Sequence, residues 1–250
     1  MIADPWFYAA AVPAMIILGL SKGGFASIVI LSVPIMALVI SPVQAAGIVL
    51  PILVLSDIIA VVSYRKLYDL PTLKITLPAA VIGVGIGWAA AATVTEDQTR
   101  LIVGIISVLF ALNYWFRHRL KPKPHGQNAA KANFWGVVAG FTSFVSHSGG
   151  PPYQMYAVPL RLEPRIYAGT TVIFFATINA IKLVPYFFLG QFDATNLTTS
   201  AILLPVSIPA TLLGVWLVRR FETEAFYKWI YASIFLVGLF LVINSTAALI

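Results

Sequence analysis

The chain has 250 residues, of which 60% are hydrophobic and 10% charged, and its formal net charge at pH 7 is +7. This composition leaves too little polar surface to coat a soluble globule, so we predict an all-α integral membrane protein. The lack of cysteine excludes disulfides and thiolate metal sites. The positive charge does not indicate a nucleic-acid partner, because seven basic residues, counting two histidines, lie within residues 117–131, as in a cytoplasmic loop.

Apolar segments follow one another along the whole chain, five in each half. They are predicted at 6–20, 24–40, 43–64, 75–94, 101–116, 133–147, 151–160, 165–189, 197–218 and 225–246. A helix needs roughly 20 residues to cross the hydrocarbon core, and the first two segments of each half are shorter. One helix over 6–40 would be roughly 50 Å long, too long for a single crossing. We therefore predict that each half has a glycine-broken helical hairpin followed by three transmembrane helices.

The second half of the chain repeats the first. Ser21-Lys22-Gly23-Gly24 returns 126 residues later as His147-Ser148-Gly149-Gly150, and later landmarks return after 122 to 127 residues. The matched pairs include Val33-Pro34 with Val158-Pro159, Asp57 with Asn179, Tyr68-Asp69 with Phe192-Asp193, and Leu77-Pro78 with Leu204-Pro205. This pattern predicts two tandem homologous repeats, residues 1–116 and 133–250, joined by a basic cytoplasmic linker, residues 117–132.

Charge placement distinguishes two arrangements of these repeats. If the linker is cytoplasmic and each hairpin turns back to the face it entered, Arg65 and Lys66 are cytoplasmic, and so are Arg161, Arg219 and Arg220. Counting each hairpin as one crossing would place the last three outside. The positive-inside rule therefore favours inverted repeats. The alternative is a plain eight-helix bundle with parallel repeats.

The two glycine breaks form the predicted substrate site. Paired glycines permit positive φ and leave backbone N–H groups uncovered, and a helix that begins beyond a break points its positive dipole end into the space before it. The predicted contacts are Ser21, Lys22, Gly23, Gly24, His147, Ser148, Gly149, Gly150, Tyr153 and Gln154. The alternatives are that the glycines serve only close helix packing and that Tyr153 only packs.

A second group of candidates shares one face of the segment 165–189, because its members recur at helical spacing. They are Thr171, Phe175, Asn179, Lys182 and Tyr186. The polar members Thr171, Asn179 and Lys182 are predicted to bind the substrate. Lys182 has an alternative role, in which it extends its amine toward the membrane interface.

The balance of charge within the helices favours an anionic cargo. Lys22, His147 and Lys182 are candidate cations, whereas Asp57 is the one candidate anion. Asp57 and His147 are also candidates for proton coupling, because each could change its charge. The alternative for Asp57 is a hydrogen bond to a neighbouring helix. No metal-ligand cluster, cofactor motif or catalytic constellation is present in the sequence, so we expect no metal, no cofactor and no enzyme activity.

These breaks, with the Val-Pro pairs that follow them, resemble the TauE/SafE sulfite exporter family, also called the toluene sulfonate uptake permease family. The most specific parts are His147-Ser-Gly-Gly-Pro-Pro and Asn179-Ala-Ile-Lys-Leu-Val-Pro-Tyr186. The resemblance covers the whole chain and implies a multi-pass permease of the bacterial inner membrane, with roughly eight crossings. Its cargo would be sulfite, a sulfonate or a related sulfur oxyanion. Lys22 departs from the pattern, since many members carry more glycine around the first break.

The sequence thus predicts a secondary carrier for a small sulfur oxyanion, with sulfite export as the leading hypothesis. The expected partners are the small anion and membrane lipids, without nucleic acid, and assembly into a homo-oligomer is left open. Alternatives are uptake of an organosulfonate or thiosulfate, or a passive anion channel built on the same breaks.

Overall fold

The computed structural model describes residues 1–91, 93, 96–118 and 126–249, and within those ranges it contains ten α-helices and no strand. In chain order they are α1 (Pro5–Leu20), α2 (Ser32–Met36), α3 (Pro42–Ser63), α4 (Leu70–Ala89), α5 (Glu96–His118), α6 (Ala129–Ser146), α7 (Gly150–Ala157), α8 (Pro164–Phe188), α9 (Ala194–Val218) and α10 (Thr223–Leu249). Residues 119–125 of the linker, among them His125, lie outside the described residues.

Six segments are long and apolar enough to cross a membrane. They are Pro5–Gly23, Pro42–Ser63, Leu70–Ala89, Pro164–Phe188, Ala194–Val218 and Thr223–Thr246. A shorter apolar stretch, Arg100–Asn113, lies within α5. The prediction of an all-α membrane protein is therefore confirmed.

Matched residues begin the same helices in both halves. Asp69 caps α4 by accepting a hydrogen bond from the backbone N–H three residues on, at 2.9 Å. Its counterpart Asp193 caps α9 in the same way, at 2.8 Å. Pro42 begins α3 and Pro164 begins α8, where a missing N–H has no cost. The repeat in the sequence is therefore also a repeat of local structure.

The first hairpin consists of α1, the first glycine break and a returning segment. Ser21–Gly23 forms one 3-10 turn, and Gly24 adopts a φ of +95°, which glycine tolerates without strain. A second 3-10 turn, Ile28–Leu31, leads into α2. Ser32 in α2 donates to the carbonyl of Ala14 in α1 at 3.1 Å, so the chain runs back beside α1.

The second hairpin consists of α6, the second break and α7. Tyr156, near the end of α7, donates to the side-chain carbonyl of Gln127, just before α6, at 2.8 Å. Both open ends of this hairpin therefore lie at the same face. We expected the paired glycines to supply positive φ at this break, and that expectation is wrong. Gly149 has a φ of −70°, and His147 takes the left-handed conformation at +52°.

The helices pair across the two repeats. α1 packs along α9, where a Cβ on Gly19 would lie 2.7 Å from the Ser207 carbonyl oxygen. Its counterpart α6 packs along α4, where a Cβ on Gly140 would collide with the Ala80 carbonyl. The remaining helices pair with their own counterparts, α5 with α10 and α3 with α8. Each half thus completes the other, and the interior lies between the two hairpins.

Contacts at the helix ends define two faces of the molecule. The Ile2 N–H donates to the Thr199 hydroxyl at 3.2 Å, so the open end of the first hairpin lies beside the start of α9, on what we call the distal face. Gln127 donates to the Asp69 carboxylate at 2.9 Å, so the second hairpin opens beside the start of α4, on the linker face. Arg219, after the end of α9, donates to a carbonyl at the end of α3, just before α4. We infer that the two hairpins enter from opposite faces, as inverted repeats require.

Candidate functional site

The two glycine breaks approach each other inside the molecule. Gly150 lies so close to the Ala26 carbonyl that a Cβ would collide with it. A Cβ on Gly149 would lie 2.6 Å from the Ala139 carbonyl oxygen, and one on Gly24 would lie 3.0 Å from the Phe226 ring. Gly23, Gly24, Gly149 and Gly150 therefore shape the hairpins and let them pack closely. None of the four lines the cavity between the breaks.

That cavity is small, about 30 Å³. It has room for roughly two or three groups the size of a water molecule. Apolar side chains such as Phe175 form part of its wall. The polar side chains that line it are Ser21, Lys22, Ser143, His147, Thr171 and Asn179.

Lys22 and Asp57 form a buried ion pair on one side of the cavity. The Lys22 amine lies 2.6 Å from one carboxylate oxygen of Asp57, and the Asn179 side-chain amide donates to the other at 2.8 Å. Lys22 is 5% exposed and Asp57 2%. Both charges are thus paired, as buried charges must be. Asp57 thus forms a hydrogen bond to the neighbouring helix α8. Its partner there, Asn179, is its counterpart in the second repeat.

Lys182 is a buried cation on the other side of the cavity. Its amine donates to the backbone carbonyl and the hydroxyl of Ser143 at 3.0 and 3.3 Å. It also lies 3.2 Å from Nδ1 of His147. The side chain is fully buried, so the alternative in which it extends toward an interface is wrong. None of these partners is a carboxylate, although a buried ammonium ion is costly without an opposite charge.

His147 links Lys182 to Tyr186. As an ammonium ion, Lys182 can only donate, and in that state the partners of His147 assign the lone pair to Nδ1 and the proton to Nε2. Nε2 then donates to the Tyr186 hydroxyl at 3.0 Å, and Tyr186 reaches the Phe144 carbonyl at 3.4 Å. A continuous chain of hydrogen bonds therefore leads away from the cavity.

Of the predicted face of α8, Thr171, Phe175 and Asn179 line the cavity together, whereas Lys182 and Tyr186 are not part of its wall. Ser148 does not reach it, because its hydroxyl exchanges hydrogen bonds with Ser146. Tyr153 packs its ring on Phe174 at a centroid distance of 4.3 Å. With Gln154, it lies outside the cavity wall.

Sequence reasoning missed two groups near the site. Ser143 stands one helical turn before His147, and that spacing was the available signal. Arg100 was not predicted at the site, but it is 4% exposed in α5 and its charge acts on His147. The cavity region thus collects more positive charge than predicted.

The helix starts contribute fewer N–H donors than predicted. The first break leads into 3-10 turns and a five-residue α2, so no helix dipole develops there. α7 does begin at the second break, but Pro151 and Pro152 occupy its first turn and carry no N–H. Hydroxyl, amide and charged side chains therefore supply most of the polar lining.

Residues 10–241 of the chain match the model of the sulfite exporter TauE/SafE family. The chain belongs to this family. A TauE/SafE relative, the probable sulfite/organosulfonate exporter TauE of Cupriavidus necator (strain H16), is 29% identical over 150 residues. The alignment covers 58% of this chain and 54% of the relative, so it spans about half of the relative's length. No solved structure matches the chain. The predicted resemblance is confirmed, and the chain is a multi-pass membrane protein of a transporter family.

Proposed function

We propose that this TauE/SafE protein is a secondary carrier that exports sulfite across the bacterial inner membrane. The observation that carries the proposal is Lys182, a fully buried cation beside a cavity, whose hydrogen-bond partners include no carboxylate. An anion in the cavity would supply the missing charge. The name of the Cupriavidus relative supports a sulfur oxyanion as that anion.

The donors around the cavity suit a small ion with several oxygens. Sulfite presents three oxygens that accept hydrogen bonds from ammonium and hydroxyl groups together. Ser143 and His147 line one wall, with the Lys182 amine directly behind them, and Lys22 lines another wall with Asn179. The volume of about 30 Å³ favours sulfite over a bulky organosulfonate.

The arrangement of the hairpins favours a carrier over a passive channel. The tips touch where Gly150 meets the Ala26 carbonyl, so no open pore separates them. Asp57 and Asn179 hold Lys22, at the first tip, against α3 and α8. Substrate sites between inverted repeats work by alternate exposure when one repeat rocks against the other. The Lys22–Asp57 bridge would then close one route while the other is open.

His147 and Asp57 are the candidates for proton coupling. When an anion accepts the hydrogen bonds of Lys182, Nδ1 of His147 is released and can take up a proton. His147 would hold that proton on Nδ1 while its Nε2–H stays hydrogen-bonded to the Tyr186 hydroxyl. A pH gradient should then drive sulfite accumulation in vesicles, and His147→Asn should abolish that drive. Accumulation that ignores the gradient in the unmodified protein would exclude coupling.

Binding to purified protein tests the site. A ligand that binds only the native state raises the melting temperature, and the rise grows with the logarithm of its concentration above Kd. Sulfite should stabilise the unmodified protein, and Lys182→Met should lose that stabilisation. Lys228→Met, which removes an exposed lysine of α10, is the matched control and should keep it. Equal stabilisation of the Lys182→Met variant would contradict the proposed site.

A further inference from the structure

Four buried polar side chains cluster next to the cavity. Tyr153 and Gln154 come from α7, Tyr167 and Thr171 come from α8, and each is at most 3% exposed. The Thr171 hydroxyl adjoins the hydroxyls of both tyrosines, and the Gln154 amide adjoins that of Tyr167. We call these four residues the hydroxyl cluster. Thr171 also lines the cavity, so the cluster adjoins the cavity.

The polar atoms of the hydroxyl cluster are close together but unpaired. The Tyr153, Tyr167 and Thr171 hydroxyls and both amide atoms of Gln154 have no hydrogen-bond partner in the part of the chain that the structure describes. Buried polar groups in proteins are almost always hydrogen-bonded. Five unpaired atoms in one place therefore indicate a polar occupant.

The packing of the rings does not explain these hydroxyls. Tyr153 stacks on Phe174, and Tyr167 meets the edge of Phe226 at a centroid distance of 5.7 Å. Phenylalanine would make the same ring contacts without burying an unpaired hydroxyl. Ring packing therefore explains the aromatic rings of Tyr153 and Tyr167 but not their hydroxyl groups.

The cluster lies between the linker face and the cavity. α8 begins at the linker face with Pro164, and Tyr167, Thr171, Phe175 and Asn179 follow at intervals of four residues along one side of the helix. Each interval advances about 6 Å. An ion that moves along this side from the linker face meets the cluster before it meets Asn179.

We propose that the hydroxyl cluster is a second, uncharged oxyanion subsite on the linker-face branch of the transport path. Three hydroxyls and an amide N–H can donate to the three oxygens of sulfite, as the cavity does, but without a fixed charge. Uncharged donors bind an anion more weakly than an ammonium ion does. Sulfite would therefore pass from the weaker site, the cluster, to the tighter site beside Lys182. This inference rests on the proposed function.

The test removes the hydroxyls and keeps the rings. Radiolabelled sulfite counterflow is measured in liposomes with full-length protein that carries Tyr153→Phe and Tyr167→Phe together. We expect the rate to fall about ten-fold, the loss that corresponds to one hydrogen bond to a charged group. Stabilisation by sulfite, which reports the cavity, should remain. The melting temperature without sulfite should stay or rise, because an unpaired buried hydroxyl is removed.

Tyr64→Phe is the matched control. Tyr64 is also fully buried with an unpaired hydroxyl, but it lies against Gly169, on another side of α8 from the cluster. This variant should transport at the unmodified rate. The single variants Tyr153→Phe and Tyr167→Phe should each slow transport as well, and they decide the question if the double variant does not fold.

Two outcomes would overturn the subsite while leaving the proposed function intact. One is counterflow at the unmodified rate in the double variant, which would mean that the cluster holds only water. The other is a joint loss of transport, sulfite stabilisation and melting temperature, which would mean a structural role. An unmodified protein that neither binds nor moves sulfite would instead refute the proposed function, and this subsite with it.

Discussion

At the scale of single residues, the Lys22–Asp57 pair combines a structural and a functional role. The pair joins the first hairpin tip to α3, and through Asn179 it reaches α8. Its two charges are held in an interior where a lone charge is costly. Lys182, by contrast, has no carboxylate among its hydrogen-bond partners, so its charge would be available for a ligand under the proposed function. The two lysines therefore differ in their partners although both are buried.

Removing one partner of the buried pair should be more harmful than removing both. Lys22→Met leaves Asp57 unpaired, so we expect a loss of about 3–5 kcal/mol in the free energy of unfolding. In the double variant with Asp57→Asn, much of this loss should be recovered. Unfolding of both variants in detergent measures the difference. Additive losses would mean that the two side chains do not interact.

At the scale of elements, glycine contacts set the spacing of the helices that carry the hairpin tips. Gly140 in α6 touches the backbone of α4, which positions Ser143 and His147 one and two turns later. A helix displaced at this contact would also displace the cavity wall. Packing and function are therefore coupled along α6.

Gly140→Ala should lower the free energy of unfolding by about 1–3 kcal/mol. The reason is that a Cβ at this position collides with the backbone of Ala80, which cannot move aside. Gly85→Ala in α4 is the control, because nothing lies within 4 Å of its Cβ position. That variant should be neutral or gain up to about 1 kcal/mol from helix propensity. Thermal unfolding of the two variants compares them, and equal effects would contradict the close packing of α4 and α6.

Features that depend on local signals could be predicted from the sequence, whereas features that depend on tertiary packing could not. The repeat, the two breaks and the cavity-lining face of α8 were predictable, because glycine pairs and helical periodicity are local signals. Burial of Arg100 depends on how α5 packs against other helices, which no local pattern encodes. The left-handed conformation of His147 was also missed, because glycine is the residue type expected to take positive φ. Gly149 and Gly150 instead allow close contacts with neighbouring backbone.

At the scale of the whole molecule, the two hairpins and the central pairs suggest a structure that can open to either side. Helices from both repeats surround the cavity, and each hairpin is open toward a different face. This arrangement depends on the inverted orientation of the repeats. Topology is thus the property on which alternate exposure rests.

The chain has no cysteine, so single introduced cysteines report topology directly. Gly126→Cys lies before α6, and Ala194→Cys lies at the start of α9. With re-entrant hairpins one crossing, α8, separates them, so a thiol reagent that cannot cross the membrane should label them from opposite sides. Labelling from the same side would mean that the second hairpin counts as a crossing and that the repeats are parallel.

The most direct test of the central claim is counterflow of sulfite through the purified protein in liposomes. Vesicles loaded with unlabelled sulfite are diluted into a trace of radiolabelled sulfite. A carrier with one alternately exposed site should accumulate label transiently above its equilibrium level, and Lys182→Met should abolish this overshoot. Sulfite flux without an overshoot would indicate a passive channel, and no sulfite movement under any gradient would contradict the proposed function.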